Sequence, residues 1–165
     1  MKNELKFTEL NDEFRKAVDE YLKRKSKERD NIAICTIKDK LKDSLACDFE
    51  SLQRAIELDH VSEMKTIIAC LYVQTLCANH IYHKHDFDAI VESAIKKTND
   101  MHDFVMGLDK REHIRSIDNL LSDIDDSGLN ERNIALIIIT IYMISLQYGI
   151  VFNECIANIK AEDIL

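Results

Sequence analysis

Cysteine and histidine gather once in this chain, at Cys77, His80, His83 and His85. The first three recur every third residue, so they share part of one helical face. Thiolate and neutral imidazole together make a good zinc donor set. Histidines also collect at helix C-termini, where their charged form suits the dipole, and a reduced cysteine packs as a small hydrophobe. With no second Cys/His cluster in the sequence, a helix end beside a core cysteine is the preferred reading and zinc the minor one. A second oxygen-rich stretch, Asp123, Asp125, Asp126, Ser127 and Gly128, matches the opening of a calcium-binding EF-hand loop. The bidentate glutamate that such a loop needs is replaced by Ile134, so a capped acidic loop is expected. Glu57, Asp59 and Glu63 flank one inter-helix loop and Asp125, Asp126 and Glu131 another. Acids are favoured at helix starts by the dipole alone. Neither a glycine-rich phosphate loop nor a nucleophile–His–acid arrangement is visible.

The elements that carry these residues are helical by periodicity. Proline is absent and there are three glycines, so little interrupts a helix. Gly107, Gly128 and Gly149 each follow a helical-period segment, where a C-terminal cap needs positive φ. Helix 1 is expected from about Glu9 to Arg29, with Leu10, Phe14, Val18, Tyr21 and Leu22 inward. Helix 2 follows from Ile32 to Leu58, presenting Ile34, Ile37, Leu41, Leu45, Phe49, Leu52 and Ile56, with room for a break near Cys47. Helix 3 spans Ser62–Tyr82 and is apolar all round from Ile67 to Val73, which places it at a bundle centre. Asp86 is the expected N-cap of helix 4, which shows Phe87, Ile90, Val91, Ala94 and Ile95. Helix 5 covers Lys110–Ile124 with Ile114, Ile117, Leu120, Leu121 and Ile124 inward. Helix 6 spans Asn130–Tyr148, where the β-branched run Ile137–Tyr142 also fits a buried strand. Helix 7 carries Phe152, Cys155, Ile156 and Ile159. The fold class is therefore all-α, a bundle of about six or seven helices in one domain, 1–165.

Sliding the chain on itself by 68 residues lays Leu52 on Leu120, Ile56 on Ile124, Val61 on Leu129 and Glu63 on Glu131. Ile68 then meets Leu136, Leu71 meets Ile139 and Leu76 meets Ile144. Each copy reads as an amphipathic helix, a short acidic loop, an apolar helix, a turn and a trailing helix opening with Phe87 or Phe152. This predicts an internal duplication, 48–106 and 114–165, around two central apolar helices.

The stretches Cys47 to Ile56, Glu63 to Tyr72 and Asp86 to Asn99 follow this plan, and the second copy, Ile114 to Lys160, repeats it. The organisation resembles the all-α NTP pyrophosphatases, the superfamily of MazG-like enzymes, dimeric dUTPases and phosphoribosyl-ATP pyrophosphohydrolases. In that family an E-E-x-x-E helix and an E-x-x-D helix hold Mg²⁺ against nucleotide phosphates. Here Cys47, Asp48 and Ser51 stand where the first motif wants glutamates, and Thr66 and Ala69 where the second wants Glu and Asp. The resemblance thus implies a pseudoenzyme, with Asp48, Glu50 and Glu63 the carboxylates nearest a vestigial metal or nucleotide site. Magnesium prefers octahedral oxygen ligands, and a site stripped of four acids has little hold on it.

The formal net charge is −8, which disfavours nucleic acid as a partner, because phosphate binding relies on Lys and Arg. The one basic run, Lys23 to Arg29, reads as the solvated end of helix 1. Five cysteines, Cys35, Cys47, Cys70, Cys77 and Cys155, are an odd number without CxxC spacing, and four lie in apolar stretches. With no signal-peptide pattern at the start, they point to a reducing cytoplasm, or a host cytoplasm for a viral protein. The run Ile134–Leu146 is too short to span a bilayer. The composition suits a phage, viral or AT-rich bacterial source. The leading expectation is a non-catalytic helical protein that binds a protein partner or forms a homodimer, without a cofactor. The alternative is an Mg²⁺-dependent nucleotide pyrophosphatase with displaced acids; others are a nucleotide binder and a viral-type helical interaction protein.

Overall fold

In the computed structural model the chain is described over residues 7–27 and 31–164, the side chains of 25–27, 31–37, 161 and 162 excepted. Secondary structure among the described residues is entirely helical. The elements are α1 (Phe7–Lys27), α2 (Asn31–Glu57), α3 (Val61–Ala78), α4 (Phe87–Asp100) and α5 (His102–Met106), then α6 (Lys110–Ser127), α7 (Glu131–Gln147), α8 (Phe152–Ala157) and α9 (Ala161–Ile164). A π-helical turn, Asn79–His83, extends α3.

α2 is 27 residues long and runs through Cys47 unbroken. Its Leu41, Leu45, Phe49, Leu52 and Ile56 are buried in one stripe, while the side chains of Ile34 and Ile37 lie outside the described set. The β-branched run in α7 is helical, with Ile134, Ile137, Ile138, Ile141 and Ile144 all buried. Surrounded by helices on most sides, such a run gains more from burial than it loses in intrinsic propensity. Caps fall where short polar side chains precede the helices. Asp86, Asp109 and Asn130 accept from the amides of Ala89, Glu112 and Asn133 at 3.2, 3.0 and 2.8 Å.

Several expectations are corrected. Gly107 has φ −88°, because α5 ends in an ordinary right-handed turn rather than a left-handed cap. Only Gly128 and Gly149 are left-handed, at 71° and 68°, and the first half makes its reversals with Asp59 (55°) and Lys84 (56°) instead. The trailing segment after Phe152 is split into α8 and α9. Ile114 is half-buried, and the buried face of α6 instead takes in His113, whose ring bonds Gln147. The acidic stretch Asp123–Ser127 is the last turn of α6, so those carboxylates line a helix and not a loop. Cys47 is exposed and Cys70 half-buried, leaving Cys77 and Cys155 as core cysteines. The side chain of Cys35 is outside the described set.

Packing is exchanged between the two halves. α2 pairs with α3 as α6 pairs with α7, α3 meets α7, α2 meets α6, α4 lies on α7, and α8 lies on α3. Each trailing helix therefore covers the central helix of the other half. Leu45, Phe49, Leu52 and Ile56 are buried as His113, Ile117, Leu120 and Ile124 are, an offset of 68 residues. Along the central helices the offset is 69, with Met64, Ile68, Ala69, Leu71 and Tyr72 buried as Asn133, Ile137, Ile138, Thr140 and Ile141 are. The ungapped match thus needs one extra residue at the α6–α7 turn, since a one-residue shift turns a helix face by about 100°.

α1 closes the bundle over α3 and α4. The Tyr72 hydroxyl donates to Asn11 Oδ1 at 2.6 Å, and Asn11 Nδ2 donates to Asp88 Oδ1 at 2.7 Å. Arg15 adds a fork onto Asp88 at 2.5 and 3.3 Å. Asn11 and Tyr72 are fully buried, so this network places one polar chain inside an apolar core. Burial works against the Asp88 carboxylate, but Arg15 and Asn11 hold it below the usual carboxylate range. The openers of both trailing helices, Phe87 and Phe152, meet Tyr72 edge-on at 5.5 and 5.6 Å between ring centres.

Candidate functional site

The resemblance-based carboxylates sit on the α2–α3 hairpin but do not converge. Asp48 faces α3, where Gln74 Nε2 donates to its Oδ2 at 2.6 Å. Burial pushes the Asp48 carboxyl above its ordinary range, and the Gln74 bond only partly offsets that. Gln74 is itself buried, and its Oε1 has no hydrogen-bond partner among the described residues. Glu63 lies three turns earlier on α3, roughly 16 Å along the axis at 1.5 Å per residue. It is exposed and stands 3.6 Å from the His60 ring. Glu50 is exposed on α2. Asp48 and Glu63 thus cannot share one small ion, and the donor set does not fit magnesium.

The Cys/His cluster is distributed in the same way. Cys77 is buried on α3, and desolvation lifts its thiol to about 12. His80 Nε2 is 2.8 Å from Asp19 Oδ1 on α1. His83 and His85 stack in parallel, 6.2 Å between ring centres. Burial, His85 and Lys38 together hold His83 below the ordinary histidine value. Between these rings Lys84 takes a left-handed backbone, and Asn79 clamps the turn by bonding both the carbonyl and the amide of His85 at 2.9 Å. A π-turn that re-aims the chain into α4 accounts for this cluster, and among the described residues no three His, Cys, Asp or Glu side chains converge as a metal site. Of the basic run, Arg24 lies over the Tyr21 ring at 5.6 Å and Lys23 is also engaged; the other members fall outside the described side chains.

Three surface grooves were not legible in the residue types. The first, about 530 Å³, lies between α4 and α7 with Ile90, Ala94, Ala135 and Ile139 in its floor and Asp86, Lys97, Glu131 and Arg132 at its rim. The second, about 340 Å³, lies between α3 and α8 and is bounded by Ser62, Lys65, Thr66, Val151, Glu154 and Asn158. Exchange of the halves carries one groove onto the other. The third, about 580 Å³, runs beside Phe7, Asp88, Glu92, Asn99, Tyr142 and Phe152. The signal for the first was present in α4 as Ala89, Ser93 and Lys97 at four-residue spacing, flanking the apolar stripe Phe87, Ile90, Val91 and Ala94. Apolar side chains are also exposed on the link between the halves, at Met101, Phe104 and Met106, while Val105 between them is buried and anchors α5.

No helix among the described residues is long and apolar enough to cross a membrane. Against known proteins, no family model, curated sequence or solved structure matches this chain.

Proposed function

We propose that this chain is a non-catalytic helical bundle built from a duplicated hairpin, and that it acts by binding another protein or a second copy of itself. The observation that carries this reading is the use made of its acids. Asp48, the carboxylate nearest the resembled family's first motif, is half-buried against Gln74, and Glu63 stands at the far end of the hairpin. Carboxylates spent on packing and helix ends leave a rigid scaffold whose outer faces are free to recognise a partner. Exposure of Met101, Phe104 and Met106 on the inter-half link supports the same reading, since methionine and aromatic side chains are favoured at recognition surfaces.

The test is a melting curve against a panel of nucleoside triphosphates with and without Mg²⁺, with pyrophosphate assayed in the same wells. Unchanged melting and no product are expected. Mg²⁺-dependent pyrophosphate release that Asp48→Asn and Glu63→Gln abolish would overturn the reading in favour of a pyrophosphatase. A nucleotide that raises the melting temperature without being consumed would point to a pseudoenzyme that retains a ligand pocket.

A further inference from the structure

We propose that the groove between α4 and α7 seats a second copy of this chain, whose own α4 enters it antiparallel to make a two-fold dimer. This rests on the binding reading above and names its partner and surface. The face of α4 along the groove carries Asp86, Ala89, Ser93 and Lys97, at the three- and four-residue spacings that align side chains on one face. Its ends bear opposite charges, roughly 16 Å apart. Between them Ala89 and Ser93 are exposed and small, so another helix can approach at the short end of the usual 8–10 Å interaxial range.

A two-fold contact sets one surface against itself. Run antiparallel, the stripe puts Asp86 of each copy opposite Lys97 of the other and Ala89 opposite Ser93. The two pairings differ by one residue in register, an offset of about 1.5 Å along the axis that the long lysine side chain can absorb. A parallel arrangement would instead set Asp86 against Asp86 and Lys97 against Lys97. Glu131 and Arg132 of α7 also line the groove, and their opposite charges offset one another. Lys97 has no ion-pair partner among the described residues, and Asp86 uses one carboxylate oxygen to cap α4 while its other oxygen can take the lysine. An apolar floor inside a charged rim has the anatomy of a protein interface. The exchange-related groove offers no such match, because α8 stops after 6 residues and only Glu154 on it, with its caps Val151 and Asn158, stands at the corresponding places. One four-turn helix per copy buries area near the low end for specific interfaces, so a weak, concentration-dependent dimer is expected.

Sedimentation velocity across a concentration series tests this. The mass should rise from 19.1 kDa towards twice that value. Ser93→Arg should hold the chain monomeric with an unchanged circular-dichroism melting curve, and Lys97→Glu should weaken the dimer by tenfold or more. In a Cys47→Ser background, mildly oxidised mixtures of the Ala89→Cys and Ser93→Cys proteins should form mixed disulfide dimers in preference to either homodimer. A monomer at every concentration would overturn the dimer while leaving the binding reading intact. A dimer indifferent to Ser93→Arg, or cross-linking without preference for the mixed pair, would place the contact on another surface and equally overturn it. Mg²⁺-dependent pyrophosphate release is the separate result that would overturn the binding reading itself.

Discussion

The two halves of this bundle share a plan but finish it differently. In both, an amphipathic helix pairs with an apolar one, and the trailing helix crosses to the other half's central helix. The first half makes its tight turns without glycine, extends its central helix by a π-turn, and ends in a 14-residue helix. In the second half glycines make the turns and the trailing helix is 6 residues long, followed by α9, which folds back on α1 and α3. The inward faces are therefore constrained by the shared core, whereas the loops and outer faces are free to diverge. The long α4 is a consequence, and of the two trailing helices it alone presents a face long enough to receive another helix.

Phe87→Ala and Phe152→Ala break the comparison most severely. Each removes a buried ring from the edge-on cluster around Tyr72 and is expected to cost about 3–5 kcal/mol. Similar losses in urea unfolding would show that the halves carry the core equally. Much smaller damage from one would show that its half is peripheral. Asn11→Ala should cost about 1–3 kcal/mol, since it strands the buried Tyr72 hydroxyl and strips Asp88 of one donor. The same network has a pH signature. Asp88 has a folded pKa below its ordinary value, so its contribution is present above the unfolded pKa and is lost as pH falls through the folded one. Acid unfolding of Asn11→Ala should accordingly begin at higher pH than that of the parent.

The turns sharpen the contrast. Gly128 has φ 71° and ψ −164°, a region open essentially to glycine alone, so Gly128→Ala should cost about 1–3 kcal/mol. Gly107→Ala, at φ −88° with ordinary contacts to a new Cβ, should be neutral or gain up to about 1 kcal/mol. Thermal melts of the pair test whether only the second half depends on glycine. The smallest effect is expected at Asp48. Its folded pKa is raised above 3.8, so the native state binds more protons, and stability falls as pH rises from the unfolded value through the folded one. Asp48→Asn removes that loss and can donate to the orphaned Gln74 oxygen, and because the site is half-exposed and screened the gain should stay under about 1 kcal/mol. It should appear as a higher melting temperature at pH 7 that vanishes near pH 3.

Helix identity was legible in the residues themselves. Stripes such as Leu41, Leu45, Phe49 and Leu52, and caps such as Asp86, act within a few turns of chain, and periodicity and short polar side chains report that range directly. A 68-residue match between the two hairpins was also visible as a pattern, but the register in which their burial aligns was not. The 68-residue match hides a one-residue step at the α6–α7 turn that only burial reveals. The partners of the candidate site residues were not legible, for the same reason. Spacing marked Asp48, Glu50 and Glu63 through a resemblance, and Cys77 with His80, His83 and His85 as a helix end beside a core cysteine. Pairing of helices set Asp48 against Gln74, Cys77 in the core and His80 against Asp19. What the sequence by itself determined was which stretches are helical and which face of each is apolar, because those are local properties. Tertiary structure alone decided that the trailing helices cross between halves, that Asn11, Tyr72 and Asp88 join into one network, and that α4 keeps an open face. Each of these depends on which apolar stripes meet, and that is a choice among long-range packings that no local spacing encodes.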